Sequence, residues 1–221
     1  MSSATPVGLG PLSAEKPLLR GVSHQVAAVV AFVSSFVLVW RANGSAARSA
    51  AAVFGACLVI QLGTSALYHR VNWGETGRMW MRRFDHSAIF LMIAGGYTPL
   101  MMVVPGAGGS YAALYGVWLG ATLGVVKSLF WAHAPKWITA ALCVGLGWAL
   151  AGPVIERASV VGWFAIGLVV ASGIVYSLGA AVYALKRPNP FPRVFGYHEV
   201  FHAFVVAASV LLFAHVALIT R

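Results

Sequence analysis

Charge is what this sequence has least of. Only 9% of its 221 residues are charged, the acids number five, and Asp85 is the single aspartate. About a quarter of an ordinary soluble domain is charged, so this chain cannot clothe a water-facing surface. With 60% hydrophobic residues and a mean hydropathy of +0.82, the composition is that of an integral membrane protein. Cysteine is nearly absent. Cys57 and Cys143 both fall inside apolar stretches, which excludes a secreted disulfide framework and gives no sign of redox chemistry. The first twenty residues lack the apolar core of a signal peptide. With Pro6, Pro11, Pro17, Glu15 and Lys16 they read as a polar tail, residues 1–20, ahead of a transmembrane domain over 21–221.

What is present is apolar length. Runs able to cross about 30 Å of hydrocarbon occur near 22–40, 51–68, 85–104, 111–131, 137–155, 160–185 and 198–219. Seven spans nearly fill the chain. NGS at 43–45, PGAGG at 105–109, AP at 134–135 and RPNPFP at 187–192 punctuate them, so the expected fold is an all-α, seven-helix bundle with no extramembranous domain.

The few cations are unevenly placed. Lys16, Arg20, Arg70, Arg78, Arg82, Arg83, Lys127, Lys136, Lys186, Arg187 and Arg193 all fall in the tail or around the second-to-third, fourth-to-fifth and sixth-to-seventh connections. The positive-inside rule then puts the N-terminus in the cytoplasm and, with an odd number of spans, the C-terminus outside. The net charge of +10 is accounted for by topology and anionic lipid, and no nucleic-acid partner is expected.

Polar groups within the spans are scarce, which makes them informative, because ionisable side chains at membrane depth usually mark sites. The second span ends TSALYHR, with Ser65 and His69 on one helical face. The third begins RRFDHSAIF, carrying Asp85. The seventh opens with HEVFH, whose His198 and His202 lie one turn apart, about 6 Å along the axis. All of these residues belong to the same predicted face of the membrane, the cytoplasmic one. Three neutral imidazoles from two helices plus a water make a tetrahedral zinc site with one open position.

HEVFH also fits the H-E-x-x-H pattern of zinc metalloproteases, with Glu199 as base. The metzincin extension would need Gly at 205 and His at 208, where Val205 and Ala208 stand. A protease could still recruit Asp85 as third ligand, which would leave His69 without a role. Glu199 lies about 100° round the helix from the histidine face, a position suited to supporting a ligand or meeting the interface.

Plainer readings stand beside these. Asp85 could cap the third helix, and Ser65 could be a small packing residue. His24, His86 and His133 sit near span ends, where packing or interfacial roles are expected. Gly116, Gly120 and Gly124 form a ladder for close helix approach. Gly95, Gly96 and Pro99 suit packing and bending of the third helix. Trp40, Trp73, Trp80, Trp131, Trp137 and Trp163 form an aromatic belt.

SALYHR, RRFDHSAIFLMIAGGYTP, GIVYSLGAAVYALKRPNPFP and FGYHEVFHAFVVAA resemble the signature blocks of hemolysin III family proteins. These form the bacterial branch of the progestin and adipoQ receptor family, which includes the adiponectin receptors. The pattern of Ser-x-x-x-His, Asp and His-x-x-x-His is also similar to that of alkaline ceramidases. The resemblance implies a seven-helix bundle of the bacterial inner membrane, N-terminus inside, with zinc on His69, His198 and His202, and hydrolysis of an amide or ester bond in a lipid. In such a hydrolase Asp85 would accept the proton of the attacking water, Ser65 would hydrogen-bond the water, the substrate carbonyl or Asp85, and the substrate would be a membrane lipid. Where many relatives carry Glu and Asn before the first-span histidine, this chain reads LLRGVSHQ. A membrane-homeostasis sensor with structural zinc is the alternative. The cytolysin suggested by the family name ranks lower, because the spans look like permanent membrane residents.

Overall fold

A computed structural model describes residues 17–104, 111–131 and 133–221. The described chain is helical: α1 (Val22–Arg41), α2 (Ser45–Arg70), α3 (Glu75–Val103), α4 (Ala112–Phe130), α5 (Lys136–Trp148), α6 (Ala151–Glu156), α7 (Ala158–Val161), α8 (Trp163–Leu185) and α9 (Tyr197–Ile219). Seven segments among these residues are long and apolar enough to cross a membrane, α5 and α6 together making the fifth. Most of the polar tail and the PGAGG break lie outside the described residues.

The helices close into a ring. α1 packs on α2, α2 on α3, α3 on α4, and α5 bridges α3 and α4 to α8, which packs on α9. α9 returns to α1 and also touches α3. α2 and α3 are the most enclosed spans, while α1 turns valines and phenylalanines such as Val29, Val33 and Phe36 outward, as a lipid-facing helix does.

Small residues set the close contacts. A Cβ placed on Gly124 would stand 2.2 Å from the Phe90 ring of α3, and one on Gly120 2.6 Å from Leu146 of α5, whereas nothing approaches Gly116 within 4 Å. The glycine ladder of α4 therefore serves two neighbours and leaves one rung open. Gly95 and Gly96 bring α3 against Cys57 of α2 and Leu212 of α9. The six belt tryptophans are exposed near span ends.

Three spans depart from expectation. α3 begins at Glu75, ten residues before the apolar run, because Arg78, Arg82 and Arg83 interrupt hydropathy without interrupting helix propensity. Asp85 is consequently the eleventh residue of α3 and cannot cap it. The predicted fifth span is broken at residues 149–150, and the sixth starts afresh after Gly162 at φ 82°.

Candidate metal centre

The backbones of α2 and α9 stay apart while their side chains share one apolar core, with the Phe54 and Phe213 rings 6.1 Å apart, and each helix delivers imidazoles to one point. The Nε2 atoms of His69 and His198 lie 3.1 Å apart, and the ring centroids of His198 and His202 are separated by 4.5 Å. One nitrogen from each of His69, His198 and His202 lies within 4.8 Å of the other two. Tetrahedral coordination at about 2.0–2.1 Å spaces neighbouring nitrogens by roughly 3.3 Å, so small ring rotations bring this set onto one ion. The triad could hold a metal. No carboxylate joins it among the described residues.

Ser65 stands one turn before His69 on α2, buried, and its hydroxyl is within hydrogen-bonding reach of Asp85 on α3. Both line the cavity of about 770 Å³ that the three histidines also face. The five predicted site residues therefore come together from α2, α3 and α9. Deeper in the same cavity the wall is apolar, with Met92, Ile93, Val169, Val205 and Leu212.

Glu199 is elsewhere. It is 2% exposed, its Oε1 meets the Arg20 guanidinium, and its Oε2 accepts the Gly196 N–H at 2.7 Å. That is half of a capping box at the start of α9, reinforced by a charge from outside the helix. Its carboxylate is committed to holding the first turn that carries His198. Backbone pairing extends the same joint: Leu18 and Leu19 donate to the carbonyls of Arg193 and Val194, each at 3.1 Å.

His24, the third residue of α1, is packed inside the bundle. It is 3% exposed, and its ring stacks on His202 with centroids 3.9 Å apart and planes within 10°. His86 and His133 line the cavity. Sequence reasoning also passed over Tyr176 and Tyr183 of α8, both on the cavity wall. Their spacing of seven, which puts two side chains on one helical face, was the available signal. Tyr183 lies 5.7 Å from His198 between ring centroids.

The family profile described as Haemolysin-III related matches residues 12–213. Hemolysin-3 of Bacillus cereus is 26% identical over 207 residues, covering 90% of this chain and 89% of the relative. A hemolysin-3 homolog of Bacillus subtilis (strain 168) is 24% identical over 202 residues, with 90% and 92% coverage. An adiponectin receptor protein of Drosophila melanogaster is 29% identical over 183 residues, covering 71% of this chain and 40% of the relative.

Proposed function

Since the chain belongs to the haemolysin-III related family, a family of multi-pass membrane proteins, we propose that it is a zinc-dependent hydrolase of an amide or ester bond in a membrane lipid, with ceramide-like amides as the leading class. The observation that carries this reading is the meeting of the His69, His198 and His202 donors with the Ser65 and Asp85 pair on one cavity wall. Three nitrogen donors with neither thiolate nor carboxylate suit zinc, and three protein ligands leave a position open for chemistry.

Zinc bound there supplies Lewis acidity, which makes water a nucleophile near neutral pH and polarises a carbonyl. The remaining work belongs to the chain. The Asp85 carboxylate accepts the proton of the attacking water and later returns it to the leaving amine or alcohol. Ser65 holds that carboxylate toward the cavity by donating its hydroxyl. The apolar wall around Met92, Val169 and Leu212 takes an acyl chain and excludes water from it. The cation distribution supports a cytoplasmic N-terminus, which puts the centre near the cytoplasmic side of a bacterial inner membrane.

The test is elemental analysis of detergent-purified protein followed by mass spectrometry of lipid products. About one zinc per chain and a released fatty acid or amine are expected. Metal-free protein that remains folded would end the reading. A second reading, a membrane-homeostasis sensor with structural zinc, is favoured by one feature: the triad would pin the end of α2 to the start of α9, whose backbones otherwise stay apart. Zinc without any lipid product would decide for it.

A further inference from the structure

His215 shows how this protein settles a buried imidazole. It is fully enclosed between α8 and α9, and its Nδ1 pairs with the Ala165 carbonyl at 2.8 Å while its Nε2 is left unpaired, so one nitrogen of the ring is satisfied. His24 is nearly as enclosed, and neither of its ring nitrogens makes a well-formed hydrogen bond, the His202 backbone offering only a poor one. A buried polar group left unpaired costs about 1–3 kcal/mol. Two such atoms on one ring are costly to keep unless something that enters the cavity meets them, and His24 faces the same cavity as the triad, Ser65 and Asp85.

Its placement is built by the surrounding chain. Gly21 takes φ 78°, and a Cβ there would stand 2.6 Å from the Cβ of His69. The first turn of α1 is thus pressed directly against the α2 ligand, in a backbone conformation that disfavours any residue with a side chain. Ahead of it, Arg20 is held by Glu199, while Leu18 and Leu19 are tied to the connection before α9. These contacts carry the His24 ring over His202, nearly parallel at 3.9 Å. A ring held in that plane cannot turn away from the cavity without breaking the stack. It is nevertheless outside the group whose donor atoms converge for a metal, which holds His69, His198 and His202 alone.

We propose that His24 is a substrate-contacting residue of this centre: a ring N–H of the neutral imidazole donates a hydrogen bond to the scissile carbonyl oxygen of the lipid as negative charge builds on that oxygen. No proton leaves the ring, and the stack on His202 sets its plane. The inference rests on the hydrolase reading for its reaction, but its contact with a ligand can be measured without turnover. The ligand class follows from the donor: a carbonyl, or a carbonyl-like anion such as a hydroxamate, at the open metal position.

His24→Phe keeps a flat ring to stack on His202 and removes both nitrogens, and His24→Gln restores a donor. Zinc affinity by chelator competition, thermal unfolding, ceramide hydrolysis in mixed micelles, and acetohydroxamate binding to the cobalt-loaded protein by its visible spectrum are the four readouts. His24→Phe should keep zinc affinity within about twofold and unfold at or above the wild-type temperature, because an unsatisfied buried group has been removed. Its kcat should fall about 10²-fold, the typical worth of one oxyanion donor, with KM little changed. Acetohydroxamate should bind about tenfold more weakly, as the loss of one hydrogen bond requires, and His24→Gln should recover part of both losses. Unchanged turnover and hydroxamate affinity in His24→Phe would overturn the proposal. So would loss of zinc in either variant, which would make His24 a support for the metal ligands. If wild-type protein hydrolyses no lipid, the hydrolase reading falls by itself, and the hydroxamate comparison still decides whether His24 reaches a ligand. Should His24→Phe fail to fold, His24→Leu, which also removes both nitrogens, carries the same comparison: hydroxamate affinity equal to wild type in that variant would also overturn the contact.

Discussion

Asp85 is a carboxylate that can neither cap its helix nor ligate with the triad, since it sits eleven residues into α3 and outside the converging donors. What remains for it is the cavity and Ser65. Asp85→Asn preserves shape and hydrogen bonding but cannot accept a proton. It should retain zinc and fold while lowering lipid turnover by roughly 10² or more, the usual worth of a general base; zinc content and product yield on this one variant check the outcome. Glu199 predicts differently. Its oxygens are occupied by Arg20 and the Gly196 N–H, so Glu199→Gln should lower thermal stability by about 1–3 kcal/mol through the lost charge-assisted bonds and leave the metal in place. His69→Ala should empty the site as thoroughly as His202→Ala. The reverse ranking, with Glu199→Gln abolishing turnover and His69→Ala keeping the metal, would restore the protease interpretation of HEVFH. Because each imidazole must be neutral to ligate, protons compete with the ion, and zinc occupancy should fall as pH drops below about 6, measured by dialysis and elemental analysis.

The helices show where sequence reading succeeds and where it stops. Hydropathy finds all seven spans because each must be apolar over about twenty residues to cross the bilayer. It misses the first ten residues of α3, since Glu75, Arg78, Arg82 and Arg83 sit where the helix has already left the hydrocarbon: 29 residues at 1.5 Å make about 43 Å, longer than the core is thick. The triad, Ser65 and Asp85 are legible because ionisable groups are rare at depth and share one predicted face. His24 is not, because nothing in LLRGVSHQ tells that residues 17–20 fold back onto the connection before α9. The glycine ladder is legible as a ladder but not as three different environments. Gly124→Val should destabilise the bundle by about 1–3 kcal/mol through overpacking against Phe90, whereas Gly116→Ala, with open space around it, should leave thermal unfolding in detergent within about 0.5 kcal/mol of wild type.

At the scale of the molecule, the eleven cations of the tail and three connections predict a cytoplasmic N-terminus and an external C-terminus, which reporter fusions at the two ends would check. The ring of helices also fixes a temporal order. His69 and His198 meet across 129 positions of sequence, and the imidazole that stacks on His202 belongs to the first helix while His202 belongs to the last. A ribosome releasing the chain from its N-terminus therefore hands the membrane six spans that hold one histidine of the triad and no site. Until α9 inserts, residues 17–20 have no partner for Arg20, and the gap between α1 and α8 stands unfilled. If the triad takes zinc as proposed, metal capture would signal completed biogenesis: nascent chains arrested before residue 198 should retain no zinc and be open to membrane quality-control proteases, and the full-length chain should become resistant in the same step that it acquires the ion.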